Sequence, residues 1–336
     1  MHLLVTGGAG FIGGEFVRMT LREQPDDRVT VLDKLTYAGN PANLDPVRDD
    51  PRFRFVHGDV CDERLVGELA AGTDVIVNFA AESHVDRSLE AGGQFIQTDV
   101  YGTYVLLEAA RAAGHARFLQ VSTDEVYGDV PVGRSVESDP MRPRSPYSAS
   151  KAGAELLIAS YRASFGTPVV VTRGCNTYGH NQYPEKIVPL FITNALEGRP
   201  LPIYGDGSAV RDYLHVEDHC RGIDTVLRHG EAGLDYNIGG ETETDGVTVA
   251  DTVLRLLDLP ASLKQFVRDR PGHDRRYALD SSRLRALGWE PRTSFEEGMA
   301  RTVCWYRDNP DWWRPLKSGE FWEFYKRNYH PLAPTR

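Results

Sequence analysis

The sequence is short of cysteine, of long apolar runs and of positive charge. Its four cysteines, Cys61, Cys175, Cys220 and Cys304, are scattered, with no C-x-x-C pair. That spacing argues against a disulfide framework or a zinc site and fits free thiols in a reducing compartment. No metal is expected. No stretch approaches the roughly 18 apolar residues of a membrane-spanning helix. The opening MHLLVTGGAGFIGG lacks a basic lead and a cleavage site, so no signal peptide is expected and the cytoplasm is the expected compartment. Formal net charge is −10, which disfavours a nucleic-acid binder. A few converging arginines can still hold a small anionic substrate. Internal repeats and low-complexity tracts are absent.

What is present is alternation. Short apolar runs at 2–6, 28–33, 53–57, 75–79, 118–122 and 169–172 are rich in Val, Ile, Leu and Phe. Continuous runs imply burial on both faces, as in a parallel sheet between helices. Helical stretches at 13–23, 102–113 and 149–165 separate them. The 336 residues therefore suit an α/β fold, a Rossmann doubly wound parallel sheet with a smaller C-terminal mixed α/β substrate lobe. Texture changes after Thr172, which places the cofactor domain at 1–180 and the substrate lobe at 181–336. Segments from about 211 to 240 are expected to return to the main domain, including a strand near 234–238. Trp305, Trp312, Trp313 and Trp322 crowd the C-terminal stretch and read as plain packing.

Gly7, Gly10 and Gly13 follow the first run and open a helix. Glycines there let the backbone turn tightly and approach a pyrophosphate, which the helix N-terminus then faces. Asp33 ends the second run, 20 residues after Gly13, where a carboxylate can accept both ribose hydroxyls. It would repel a 2′-phosphate, so NAD is expected over NADP, although Lys34 next door is a cation that could favour the phosphate. Asp59 follows the third run, at a place that can meet the adenine edge. Phe79, Ala80 and Ala81 follow the fourth, where small residues let a cofactor lie over the strand ends.

Tyr147 and Lys151 have the Y-x-x-x-K spacing, which puts both on one helix face. The ammonium is expected to lower the tyrosine pKa and make it a base for an alcohol proton. Ser122-Thr123-Asp124-Glu125-Val126-Tyr127-Gly128 follows the fifth run, at the carboxyl edge where α/β sheets bind ligands. Thr123 can supply a hydroxyl to the oxygen being oxidised. Asp124 and Glu125 are surplus to simple oxidation, and such a pair suggests an elimination.

With these motifs on the page, the chain resembles the nucleotide-sugar 4,6-dehydratases of the extended short-chain dehydrogenase/reductase family. The resemblance runs through TGGAGFIG, DKLTYAGN, HGDV, NFAAESHVDRS, STDEVYG, SPYSASKAGAE, RGCNTYG, EKIVPLFI, PIYGDG, RDYLHVEDH, YNIGG and RPGHDRRYALD. STDEVYG is the most specific, because related sugar epimerases lack the acid pair. The chain departs from many relatives at Thr177 and Thr242, where asparagine is common.

The resemblance implies a dTDP-sugar substrate, a tightly held NAD regenerated each turnover, and a homodimer through segments near 95–112 and 148–165. It implies that Tyr147, with Thr123 and Lys151, removes the 4-hydroxyl proton as hydride leaves C4. Glu125 then takes the C5 proton, Asp124 protonates the departing 6-hydroxyl, and hydride returns to C6. It extends the cofactor set to Phe11, Ile12, Lys34, Leu35 and Thr36, and to Val60, Ser83, Thr98 and Thr177. For the substrate it implies Ser83, Arg87 and Asn176 near the sugar and its phosphate, and Glu185 and Lys186 at the start of the lobe. Pro202 and Tyr204 would meet the nucleobase, Arg211 and Arg270 the diphosphate, and His273 and Tyr277 would close the site. A nucleotide-sugar 4-epimerase would share the fold, NAD, Thr123, Tyr147 and Lys151 but would have no use for Asp124 and Glu125. A 4,6-dehydratase for another sugar nucleotide remains open, and a non-catalytic NAD-sensing scaffold would need a broken motif that the sequence does not have.

Overall fold

A computed structural model of the chain describes residues 1–270 and 272–330. Pro271 of the RPGHDRRYALD motif and the last six residues of the C-terminal lobe lie outside the described residues.

Six apolar runs form strands β1 (His2–Thr6), β2 (Arg28–Asp33), β3 (Phe53–His57), β4 (Val75–Asn78), β5 (Arg117–Thr123) and β6 (Val169–Gly174). Between them lie α1 (Phe11–Glu23), α2 (Glu63–Ala70), α3 (Val85–Phe95), α4 (Gly102–Ala113) and α5 (Pro146–Phe165). Further on come β7 (Asn176–Tyr178), β8 (Leu201–Tyr204), β9 (Val210–His215) and β10 (Asp235–Ile238). The main sheet is parallel throughout, in the order β10-β6-β5-β4-β1-β2-β3. Alternate side chains of one strand serve opposite layers. Leu3 and Val5 join one core cluster, while Leu4 joins the other with Leu32 and Ile76. Strand order reverses between β1 and β4, which opens a crevice at their carboxyl ends.

A third cluster, with Phe191, Met299, Tyr306 and Trp313, forms the core of the C-terminal lobe. The stretch Val216–His229 is helical and packs on α1, and β10 pairs with β6, so residues 216–238 return to the main domain. In contrast, β9 pairs with β7 in a separate three-stranded sheet. The two regions meet over the crevice and enclose a cavity of about 430 Å³.

Candidate active site

The floor of the cavity is the turn after β1. Gly7 has φ 71°, and a Cβ there would lie 2.6 Å from the Ala80 backbone nitrogen. A Cβ on Gly13 would lie 2.4 Å from the Gly7 carbonyl oxygen, so glycine is required at both positions. The first turn of α1 has no side-chain cap, because its N-cap is Gly10. Its N–H groups and positive dipole end are left for an anion.

Asp33, at the end of β2, accepts from Ala9 N at 2.9 Å and Leu35 N at 2.8 Å. Burial raises its pKa, and the two backbone donors oppose the rise. A carboxylate offers about four lone-pair positions, so two remain for ribose hydroxyls. Lys34 is held 2.6 Å from Asp59. The cation that could have favoured a 2′-phosphate is thus already paired. These residues fit a dinucleotide without that phosphate. Gly10, Phe11 and Ile12 line this end of the cavity, with Thr36, Val60 and Thr98. Phe79, Ala80, Ala81 and Ser83 form the wall beside it.

The acid pair sits on a 3-10 turn, Asp124–Tyr127, that continues β5. Thr123 Oγ1 donates to Asp124 Oδ1 at 3.1 Å and accepts from Glu125 N at 3.3 Å. Asp124 is 2% exposed, and its other oxygen has no partner. The turn is braced from behind. Arg173 donates to the Tyr127 hydroxyl at 2.7 Å, and that hydroxyl donates to Asn237 Oδ1 at 2.8 Å. Glu155 ties Arg173 to Ser122, with contacts of 2.6 and 2.5 Å.

The two acids differ electrostatically. Burial pushes the Asp124 carboxyl well above its usual range, and the Glu125 charge adds to the rise. Burial also raises Glu125, but Arg270, Lys186 and Arg211 all pull it back. Both carboxyls are thus raised, Asp124 the more strongly, so Asp124 is the one that holds a proton more readily.

Tyr147 and Lys151 lie on the first turns of α5, which Ser145 and Ser148 open with a reciprocal capping box. The expected electrostatic coupling needs correction. Lys151 Nζ donates to the Val121 carbonyl at 2.9 Å, and the carboxylates that hold its charge are Asp99 and Glu155. Burial raises the Tyr147 phenol well above its ordinary value. Glu125, Asp99 and Asp124 push it the same way, and a hydrogen bond with Thr123 opposes them. Helical spacing sets a shared face; it does not aim the ammonium at the phenol.

Over the acids stand residues of the second lobe. Arg211 donates to the Asp274 carbonyl at 2.9 Å and the Val210 carbonyl at 2.8 Å, which fixes its guanidinium. Arg270 lies 3.7 Å from Asp86, whose other oxygen accepts from the Tyr204 hydroxyl at 2.9 Å. Both arginines line the cavity with Asn176, Thr177, Pro202 and His273. Glu185 and Lys186 line it too. His273 faces Asp269 at 2.7 Å, and burial, with Arg270 and Arg211, lowers its pKa to about 4.

Three expected residues are not among those lining the cavity. Arg87 stacks 3.8 Å over Tyr37 and pairs with Glu185 and Glu320, each at 2.9 Å, so its charge is spent behind the wall. Tyr277 hydrogen-bonds Asp274, and its ring lies 4.3 Å from the Arg211 guanidinium, which it supports. Leu35, at φ 55°, only lends its N–H to Asp33. The cavity also contains Glu82, His84, His219 and Tyr329, which the sequence reading did not single out, and Cys175, which it read as a plain free thiol. His84 and His219 lie within quoted motifs; Tyr329 carries no local signal.

Residues 4–302 match a family profile described as GDP-mannose 4,6 dehydratase. A dTDP-glucose 4,6-dehydratase from Streptomyces niveus is 51% identical over 323 residues, covering 95% of this chain and 96% of that one. The crystal structure of DesIV, a dTDP-glucose 4,6-dehydratase from Streptomyces venezuelae with NAD and TYD bound, superposes with a TM-score of 0.92 at 52% identity. That match covers 94% of this chain and all of the other. A UDP-glucose 4-epimerase from Thermotoga maritima has a TM-score of 0.86 at 29% identity, covering 92% of this chain and 100% of that one.

Proposed function

The chain belongs to the GDP-mannose 4,6 dehydratase family, and from that premise we infer that it is an NAD-dependent lyase that converts dTDP-glucose to dTDP-4-keto-6-deoxyglucose. The observation that carries this reading is the acid pair. Asp124 and Glu125 sit beside Thr123 and Tyr147 in one cavity, and the Asp124 carboxyl is raised more strongly than that of Glu125. A 4-epimerase has no use for such a pair. The dTDP-glucose reading rests on relatives of that name at about half identity along nearly the whole chain.

Gly7, Gly10 and Gly13 with the start of α1 hold the pyrophosphate, and Asp33 holds the ribose. When bound, NAD supplies a reversible hydride acceptor and a positive charge beside the Tyr147 phenol. Tyr147 takes the 4-hydroxyl proton, with Thr123 hydrogen-bonded to the reacting oxygen. Lys151, fixed by Val121, keeps this end of α5 in place and offers its remaining N–H donors to the ribose. The 4-ketone makes the C5 proton acidic. Glu125 removes it, and Asp124 gives its proton to the 6-hydroxyl, which leaves as water; the hydride that left C4 then returns to C6 and a proton returns to C5, which completes the 4-keto-6-deoxy sugar. Arg211 and Arg270 bind the diphosphate and oppose the rise that burial imposes on Glu125.

Two finer statements belong to the same reading. Leu89, Ile96, Leu156 and Phe165 are each about half exposed on the mutually packed α3, α5 and the segment Ile96–Tyr101. We assign this face to a second copy of the chain; sedimentation at the monomer mass at micromolar concentration would refute it. Among the described residues no helix is long and apolar enough to cross a membrane. We place the enzyme in the cytoplasm, which cell fractionation tests.

The experiment is incubation with dTDP-glucose and no added cofactor. A 4-keto product, seen by its absorbance in alkali, is expected. Formation of the galactose epimer, or equal turnover of other nucleotide-glucoses, would overturn the reading.

A further inference from the structure

The tryptophan-rich C-terminal stretch reads as packing, yet one of its side chains reaches the dinucleotide turn. The Trp312 indole N–H donates to Asn43 Oδ1, 3.1 Å away. Asn43 is 1% exposed, and its Nδ2 donates to the carbonyl of Ala9 at 2.9 Å and of Gly10 at 3.4 Å. An indole N–H can only donate, so the amide is fixed with its oxygen toward Trp312 and its nitrogen toward the turn. Ala9 and Gly10 are the residues that lead into α1. Drawing their carbonyls toward Asn43 keeps the first N–H groups of α1 turned to the cavity.

Trp312 is itself held by the lobe. Its ring packs on Trp305, 5.1 Å between centroids and 72° between planes, and on Tyr306. A second tie runs beside it. Glu15 on α1 holds His180 at 3.0 Å and Arg18 at 2.6 Å, and Arg18 donates to the Asn43 carbonyl at 2.5 Å. The cofactor turn is therefore bonded to the lobe that carries the substrate arginines.

We propose that Trp312 and Asn43 form a latch through which the C-terminal lobe fixes the dinucleotide turn and slows NAD release. Both are positioning residues, acting through the Ala9 and Gly10 carbonyls. The proposal rests on the NAD reading above.

The test uses the holoenzyme as purified, with NAD release followed by exchange into excess fluorescent etheno-NAD. Trp312→Phe keeps a ring and removes the donor. Release should quicken about threefold to tenfold, the range of one neutral hydrogen bond. Asn43→Ser should do at least as much, and the double variant should be no faster than Asn43→Ser alone. Trp322→Phe, an aromatic change in the same lobe, should release NAD at the parental rate. In NAD-stripped protein, amides 9–14 should exchange with deuterium faster in Trp312→Phe than in the parent. A parental release rate in Trp312→Phe, an equal rise in Trp322→Phe, or fully additive single effects would each overturn the latch. A parent protein that never holds NAD would instead refute the cofactor reading, with the deuterium arm still testing the contact itself.

Discussion

The cofactor half and the substrate half of the cavity are built differently. The cofactor half is made of backbone: two glycines that admit no Cβ, an uncapped helix start, and Asp33 on a strand end. The substrate half is made of long side chains from distant segments, Arg211 on β9 and Arg270 in the cavity wall, each fixed by carbonyls or by Asp86. Backbone sites are rigid and tolerate no substitution. Side-chain sites can be retuned while the fold persists. The acid pair lies on the seam, on the turn after β5 but facing the cations of the lobe.

Perturbations of the two halves should therefore separate, and those at the seam should cost most. Tyr147→Phe removes the first base, and kcat should fall about 1,000-fold, within the usual contribution of general acid–base catalysis, with NAD and dTDP still bound. Calorimetric loss of either ligand would break the division. Gly7→Ala strains a positive φ and drives a Cβ into Ala80. NAD affinity should fall about 100-fold, the upper part of the range for one strained residue, while dTDP binding to the apoprotein changes little. Arg211→Lys keeps the charge but loses the fork, so KM for dTDP-glucose should rise about tenfold with NAD retention intact.

The last effect is on stability and concerns the contact between the halves. Glu15 is buried, which opposes ionisation, but His180 and Arg18 outweigh burial and hold its carboxyl down at about 2, from 4.5. A depressed carboxylate stabilises above its unfolded pKa and loses that contribution as pH falls through the folded one. Glu15→Gln should thus lower stability by about 1–3 kcal/mol at neutral pH, with the gap closing between pH 4.5 and 2 in urea titrations.

Legibility in the sequence followed the same division. The strands were readable because continuous apolar runs report burial on both faces, and the glycine turn because its chemistry is local. The fold class and the cofactor came from those signals. Asp124 and Glu125 were readable because two acids at a buried strand end demand a use. Aim was not readable. Lys151 points to Val121, Arg87 is consumed by Glu185 and Tyr37, and Tyr277 supports Arg211 from below. Each outcome depends on partners brought together only by folding. Trp312 meets Asn43 across 269 residues, a distance over which no spacing rule carries information.

The different roles proposed for the two acids also set a pH profile. Turnover should fall in acid as Glu125, raised by burial, takes a proton, and in base as Asp124 loses the one it must donate.

The central claim is that oxidation comes first and Glu125 drives the elimination. Single-turnover absorbance of Glu125→Gln with dTDP-glucose tests it most directly. The account expects reduced cofactor to build up on the protein and persist, because C4 is oxidised but C5 keeps its proton. If no reduced cofactor accumulates while the 4-keto-6-deoxy product still forms at the parental rate, Glu125 is not the base and the account fails.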